Sequence, residues 1–140
     1  MSGQHQTINP ATGEVIQTYE MMSDDKVRSL LAATHDAFQE WKKTDLDERG
    51  KILRAIAKQL RENKPSLVSL MTTEMGKPIS QGGDEVELCA AICEYTADNA
   101  DEMLADEERP LDGGRALVSY QPIGVILGIQ PWNFPLYQVV

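Results

Sequence analysis

The sequence predicts an α/β fold in which a layer of amphipathic helices comes first and the opening strand of a parallel sheet comes last. Apolar residues recur at helical spacing in four runs between residues 23 and 105, each bounded by residues that start or stop helices. The pattern then changes to strand, first at Ala116-Leu117-Val118-Ser119-Tyr120 and again at residues 123–130. That second strand, Ile123-Gly124-Val125-Ile126-Leu127-Gly128-Ile129-Gln130, is apolar on both faces, as a strand covered by layers on both sides must be. It closes on Pro131-Trp132-Asn133-Phe134-Pro135, at the carboxyl end where open α/β sheets gather their ligands.

Each element has a local cause. Val15-Ile16-Gln17-Thr18-Tyr19 reads as a strand after the turn-forming Asn9-Pro10-Ala11-Thr12-Gly13, so the chain opens with a hairpin. Ser23 is an N-cap followed by the first-turn acids Asp24 and Asp25, and Val27, Leu30, Leu31, Phe38 and Trp41 form the half-buried face of the first helix. A second helix starts near Asp45 or Asp47 and turns Ile52, Leu53, Ile56, Ala57 and Leu60 inward, with a basic outer face. Asn63-Lys64-Pro65 ends it and begins a third, because proline is tolerated in a first turn. The third helix buries Leu67, Leu70, Met71 and Met75 and stops at Gly76 and Pro78. A fourth runs from Ser80 or Asp84 to Ala105 with Val86, Cys89, Ala90, Cys93, Ala97, Ala100 and Leu104 inward. Residues 106–114, with Pro110 and Gly113-Gly114, read as a turn. A single parallel strand needs hydrogen-bonding neighbours and covering layers, so further chain is expected to supply them.

Composition narrows the functional classes. A chain of 140 residues, 41% hydrophobic and 25% charged, is an ordinary soluble composition. With a net charge of −9 and thirteen basic residues that form no dense run, it is unsuited to nucleic acid or to an anionic membrane. No segment approaches the about 18 apolar residues of a membrane span, and the polar start lacks a signal-peptide core, so a cytoplasmic location is expected. Cys89 and Cys93, four apart on one helical face, cannot form a structural disulfide there and suit a reducing compartment.

The candidate chemistry concentrates at Asn133. By residue type and position alone it fits either a ligand-facing amide at a strand end or a turn asparagine bonding its own backbone, with Trp132 and Phe134 as packing. Cys89 and Cys93 lack a neighbouring histidine and metal-ligand spacing to His5 or His35, so they read as packing residues and no metal site is expected. Gly76 and Lys77 read as a helix C-terminus, since no glycine-rich phosphate loop accompanies them. The acids Glu85, Glu87, Glu94, Asp98, Asp101 and Glu102 read as the solvated face of the fourth helix.

Four motifs in order resemble the aldehyde dehydrogenase superfamily: Ile8-Asn9-Pro10-Ala11-Thr12-Gly13-Glu14, Glu74-Met75-Gly76-Lys77-Pro78, Gln121-Pro122-Ile123-Gly124-Val125 and Pro131-Trp132-Asn133-Phe134-Pro135. The run from Gln121 to Val139 is most similar to succinate-semialdehyde dehydrogenases. The resemblance covers nearly all the chain and implies the first third or less of such an enzyme. It implies a Rossmann-like architecture in which residues 1–105 are the hairpin and helices of the cofactor-binding domain. Residues 106–122 are then an oligomerisation strand region, and residues 123–140 the first strand and loop of the cofactor sheet.

It further implies an NAD- or NADP-dependent oxidation of an aldehyde to a carboxylic acid through a cysteine thioester. In that scheme the Asn133 amide donates to the aldehyde oxygen and to the oxyanion formed on thiolate attack. Ile129, Gln130, Pro131 and Trp132 line the nicotinamide side of the cofactor, and Phe134 and Gln138 line the aldehyde entrance. The catalytic cysteine and the general base are expected outside these 140 residues, so the chain alone is expected neither to turn over aldehyde nor to bind dinucleotide well. The complete enzyme is expected to be a homo-oligomer, dimer or tetramer. The rival reading is a non-catalytic helical module that binds a partner by extending a sheet from residues 116–129.

Overall fold

A computed structural model describes residues 3–140. Strands β1 (Gln4–Ile8) and β2 (Val15–Glu20) pair antiparallel, with Gln4 opposite Glu20 and a register shift between Thr7 and Ile8. The turn between them is built by Asn9, whose Oδ1 accepts from the Ala11 N–H at 2.9 Å, and by Gly13 at φ 76, a conformation that favours glycine.

Helices α1 (Asp24–Trp41), α2 (Leu46–Glu62), α3 (Lys64–Met75) and α4 (Ile79–Met103) follow. Ser23 Oγ accepts from the Lys26 N–H at 3.3 Å, and Asp45 Oδ1 from the Glu48 N–H at 2.8 Å; each satisfies one of the free donors of a first turn. Pro65 sits in the first turn of α3, and Gly76, at φ 74, ends that helix. The core lies where α2 and α3 pack on α4. Ala57, Ala90 and Cys93 form one cluster with Leu53 and Leu60 against it. Val68, Met71 and Val86 form another, onto which Leu136 also packs. Across the α2–α4 seam, Arg54 pairs with Asp98 at 2.6 Å and Arg61 with Glu94 at 2.5 Å, while Lys64 reaches Glu87 at 2.9 Å. These partners hold the carboxyls of Glu87 and Glu94 below the usual carboxylate range, Lys64 first and Arg61 second for Glu87, and Arg61 for Glu94.

Several expectations are corrected. Residues 106–114 are mostly strand: β3 (Glu107–Leu111) pairs antiparallel with β4 (Gly114–Val118) around a tight turn with Gly113 at φ 75. Pro110 is tolerated because a two-stranded ribbon consists entirely of edges. β4 thus begins two residues before the anticipated strand and already has its partner in β3. Residues 123–130 form no strand, because a strand exists through its ladder and among the described residues nothing pairs with this segment. Its side chains lie open, Leu127 at 83% and Ile129 at 85% exposure. The face of α1 is less covered than expected, with no fully buried residue. In α3 it is Val68 and Met71 that are buried, whereas Leu70 faces outward. On α4, Glu85 is buried at 3% exposure rather than solvated.

Candidate active site

The segment around Asn133 is held from beneath by two charged side chains that the sequence reading assigned elsewhere. Gly76 turns the chain out of α3 in the left-handed conformation and delivers Lys77 inward; the Thr72 hydroxyl, 2.8 Å from the Lys77 carbonyl oxygen, fixes that turn. Glu85 lies in the second turn of α4, one helical step before Cys89 on the buried face. Lys77 is 5% exposed and ion-pairs with Glu85 Oε2.

Both charges then spend their remaining capacity on the loop. Lys77 Nζ donates to the Asn133 carbonyl oxygen at 2.9 Å and lies 3.8 Å from the centre of the Phe134 ring. Glu85 Oε1 accepts from the N–H of Leu136 at 2.9 Å and of Tyr137 at 3.1 Å. The Gln138 N–H donates to Phe134 O at 3.2 Å, so residues 134–138 make a helical turn with Pro135 at its first position. Phe134 offers no side-chain acceptor for that turn's free N–H groups. Glu85 therefore performs from another helix what an N-cap side chain performs locally. Leu136, on the same turn, is wedged against Val68, Met71 and Val86, and a cleft of about 260 Å³ opens between α3 and Trp132 and Pro135.

On this fastened turn the Asn133 side chain is exposed and has no hydrogen-bond partner among the described residues. It does not bond its own backbone, as a plain turn asparagine would. Asn133 directly precedes Phe134, which opens the turn that Gln138 closes, and Gln138 Oε1 is buried without a partner among the described residues. Ile129, Gln130, Pro131 and Trp132 lead into the turn and are exposed, Trp132 at 73%. Their backbone groups have no hydrogen-bond partner among the described residues. An open indole face beside free backbone donors and acceptors fits a planar, amide-bearing nicotinamide. Among the described residues no group of three histidine, cysteine or acidic side chains has the arrangement to hold a metal ion.

Lys77 and Glu85 were missed in sequence for different reasons. Lys77 follows a helix-ending glycine, where a cation is ordinary. Glu85 carried a signal: it falls four residues before Cys89 and eight before Cys93, in phase with the buried stripe.

The cysteines are core residues. Cys89 and Cys93 are free and buried. Burial, and then the charge of Glu85, pushes the Cys89 thiol up to about 11 from its ordinary 9.0. Burial also raises Cys93. At pH near 8, a thiol-specific reagent is expected to leave both unmodified in the native protein and to label both after denaturation; rapid labelling of the native protein would contradict this packing. A raised thiol pKa contributes stability that is complete below the unfolded value of 9.0 and is lost as pH rises toward about 11, so this share of stability should fade only in alkali.

Residues 1–140 match the Aldehyde dehydrogenase family. A probable NADP(+) succinate-semialdehyde dehydrogenase of Synechocystis sp. is 43% identical over 133 residues, covering 95% of this chain and 29% of its own length. An NAD(P)+ succinate semialdehyde dehydrogenase of Escherichia coli is 38% identical over 96% of this chain and 29% of its own length. The crystal structure of succinic semialdehyde dehydrogenase from Streptococcus pyogenes in complex with NADP+ superposes with a TM-score of 0.91 at 41% identity, over 96% of this chain and 30% of that one. The chain thus spans less than a third of the length of these relatives, and over that span it belongs to the aldehyde dehydrogenase family.

Proposed function

We propose that this chain supplies the carbonyl-activating amide and the nicotinamide-side loop of an NADP+-dependent enzyme that oxidises succinate semialdehyde to a dicarboxylic acid. The observation that carries the reading is the exposed Asn133 amide, without a partner among the described residues, at the head of a turn fastened by Lys77 and Glu85. A neutral amide suits an oxyanion because it donates at every working pH and brings no charge that titrates. Ile129, Gln130, Pro131 and Trp132 hold the nicotinamide side, and Phe134 and Gln138 line the aldehyde entrance. The orphaned Gln138 Oε1, buried beside that entrance, leaves an acceptor for a donor on neighbouring chain. When bound, NADP+ supplies the hydride acceptor. The nucleophile belongs to the part of the relatives' length that this chain does not span, since Cys89 and Cys93 are packed in the core.

The names of the relatives support the choice of substrate and cofactor. In this reading residues 1–105 serve the cofactor-binding domain and residues 106–122, with the β3–β4 ribbon, serve subunit association. Residues 123–140 contribute the loop of the cofactor sheet and, once strands pair beside residues 123–130, its first strand. The buried free thiols favour the cytoplasm, and no helix among the described residues is long and apolar enough to cross a membrane.

The test compares kcat/KM for succinate semialdehyde and for butanal, with NADP+ and with NAD+, using the protein purified from its complete natural reading frame. NADPH formation that favours the carboxylated aldehyde is expected. Absence of reduced cofactor with every aldehyde would overturn the proposal.

A further inference from the structure

We propose that Lys77 is a positioning residue for catalysis, with Glu85 as its counter-charge: it fixes the peptide that carries Asn133 and so aims the Asn133 amide. This deepens the function proposed above and rests on it. Lys77 has three N–H donors, of which one meets Glu85 and one the Asn133 carbonyl oxygen, while its charge lies against the Phe134 ring. Holding that carbonyl fixes the plane of the Asn133–Phe134 peptide, and with it the place of the Asn133 Cα from which the amide side chain projects. Glu85 fastens the chain just beyond that peptide by accepting from the Leu136 and Tyr137 N–H groups.

Stability alone does not account for the arrangement. A buried ion pair is often no more stabilising than well-packed apolar residues of similar volume. Here the two charges reach across to a segment 51 to 56 residues away, and their contacts begin at the peptide that carries one exposed amide. Displacement of such a donor by about 1 Å costs on the order of 10²-fold in rate.

Two variants separate aiming from folding. In Lys77→Met/Glu85→Gln the buried charges are removed together, and glutamine still offers an oxygen to the Leu136 and Tyr137 N–H groups. Lys77→Arg keeps the cation beside Glu85, but its planar fork is a poor substitute for an ammonium that serves two acceptors beneath a ring. Both are measured in the protein from its complete natural reading frame, each with and without Asn133→Ala. The expected result is a fall in kcat on the order of 10- to 10²-fold, with the KM for NADP+ and the thermal midpoint of Lys77→Arg close to the parent's. No further fall is expected when Asn133 is already alanine. Parent-like kcat in a folded Lys77→Arg, or losses that multiply with that of Asn133→Ala, would overturn the positioning role. Undiminished turnover in Asn133→Ala alone would instead overturn the reading beneath it. If Lys77→Met/Glu85→Gln fails to fold, Lys77→Arg decides the question by itself.

Discussion

Replacing Asn133 by alanine is expected to lower kcat on the order of 10²- to 10³-fold, the usual loss when one oxyanion donor is removed. The physical reason is local. The amide is exposed and free of partners among the described residues, while the adjoining backbone is held through the Asn133 carbonyl and the Leu136 and Tyr137 N–H groups. Truncating the side chain removes the donor and leaves every one of those backbone contacts in place. Thermal stability and cofactor KM should therefore stay near their parent values while turnover collapses. Asn133→Asp should be at least as damaging, because a carboxylate presents acceptors and negative charge to a developing oxyanion. Steady-state kinetics beside a thermal melt distinguish this outcome from partial unfolding. Retained turnover in either variant would remove Asn133 from the chemistry.

Glu85→Ala is expected to be the costliest single substitution for stability, lowering the free energy of unfolding by about 3–5 kcal/mol. The change leaves the Lys77 ammonium buried without its counter-charge and strips the Leu136 and Tyr137 N–H groups of their acceptor. It also loosens Leu136 from Val68, Met71 and Val86. An exposed acid of the same helix offers the contrast. Asp98 makes its ion pair with Arg54 in solvent, where such pairs contribute little, and alanine there should scarcely move the denaturation midpoint. Denaturant unfolding of the Glu85→Ala and Asp98→Ala variants measures the difference. Equal midpoints would mean that the buried pair does not hold the loop.

The helical layer was legible in sequence because its boundaries are local. Ser23, Asp45, Pro65 and Gly76 each start or stop a helix through chemistry contained within a few residues, and the first hairpin follows from the turn at Asn9 to Gly13 in the same way. The pairing of residues 107–111 was hidden by Pro110, which argues against a strand anywhere except at an edge. The segment at residues 123–130 has the composition of a buried strand, yet composition cannot form a ladder, and no strand lies beside it among the described residues. Asn133 was legible from its place and from the resemblance of its surroundings. Its anchor was not, because Lys77 and Glu85 meet the loop across more than fifty residues of sequence and only packing brings them together. The helical phase of Glu85 with Cys89 and Cys93 was the one local clue.

The most direct test is a crystal structure of the protein from its complete natural reading frame, with NADP+ and succinate semialdehyde, in a variant whose nucleophilic cysteine has been replaced. Asn133 Nδ2 is expected about 2.7–3.1 Å from the aldehyde oxygen, with Lys77 still donating to the Asn133 carbonyl. An Asn133 amide turned back onto its own backbone, or an aldehyde oxygen held by other donors, would contradict the role assigned to this turn.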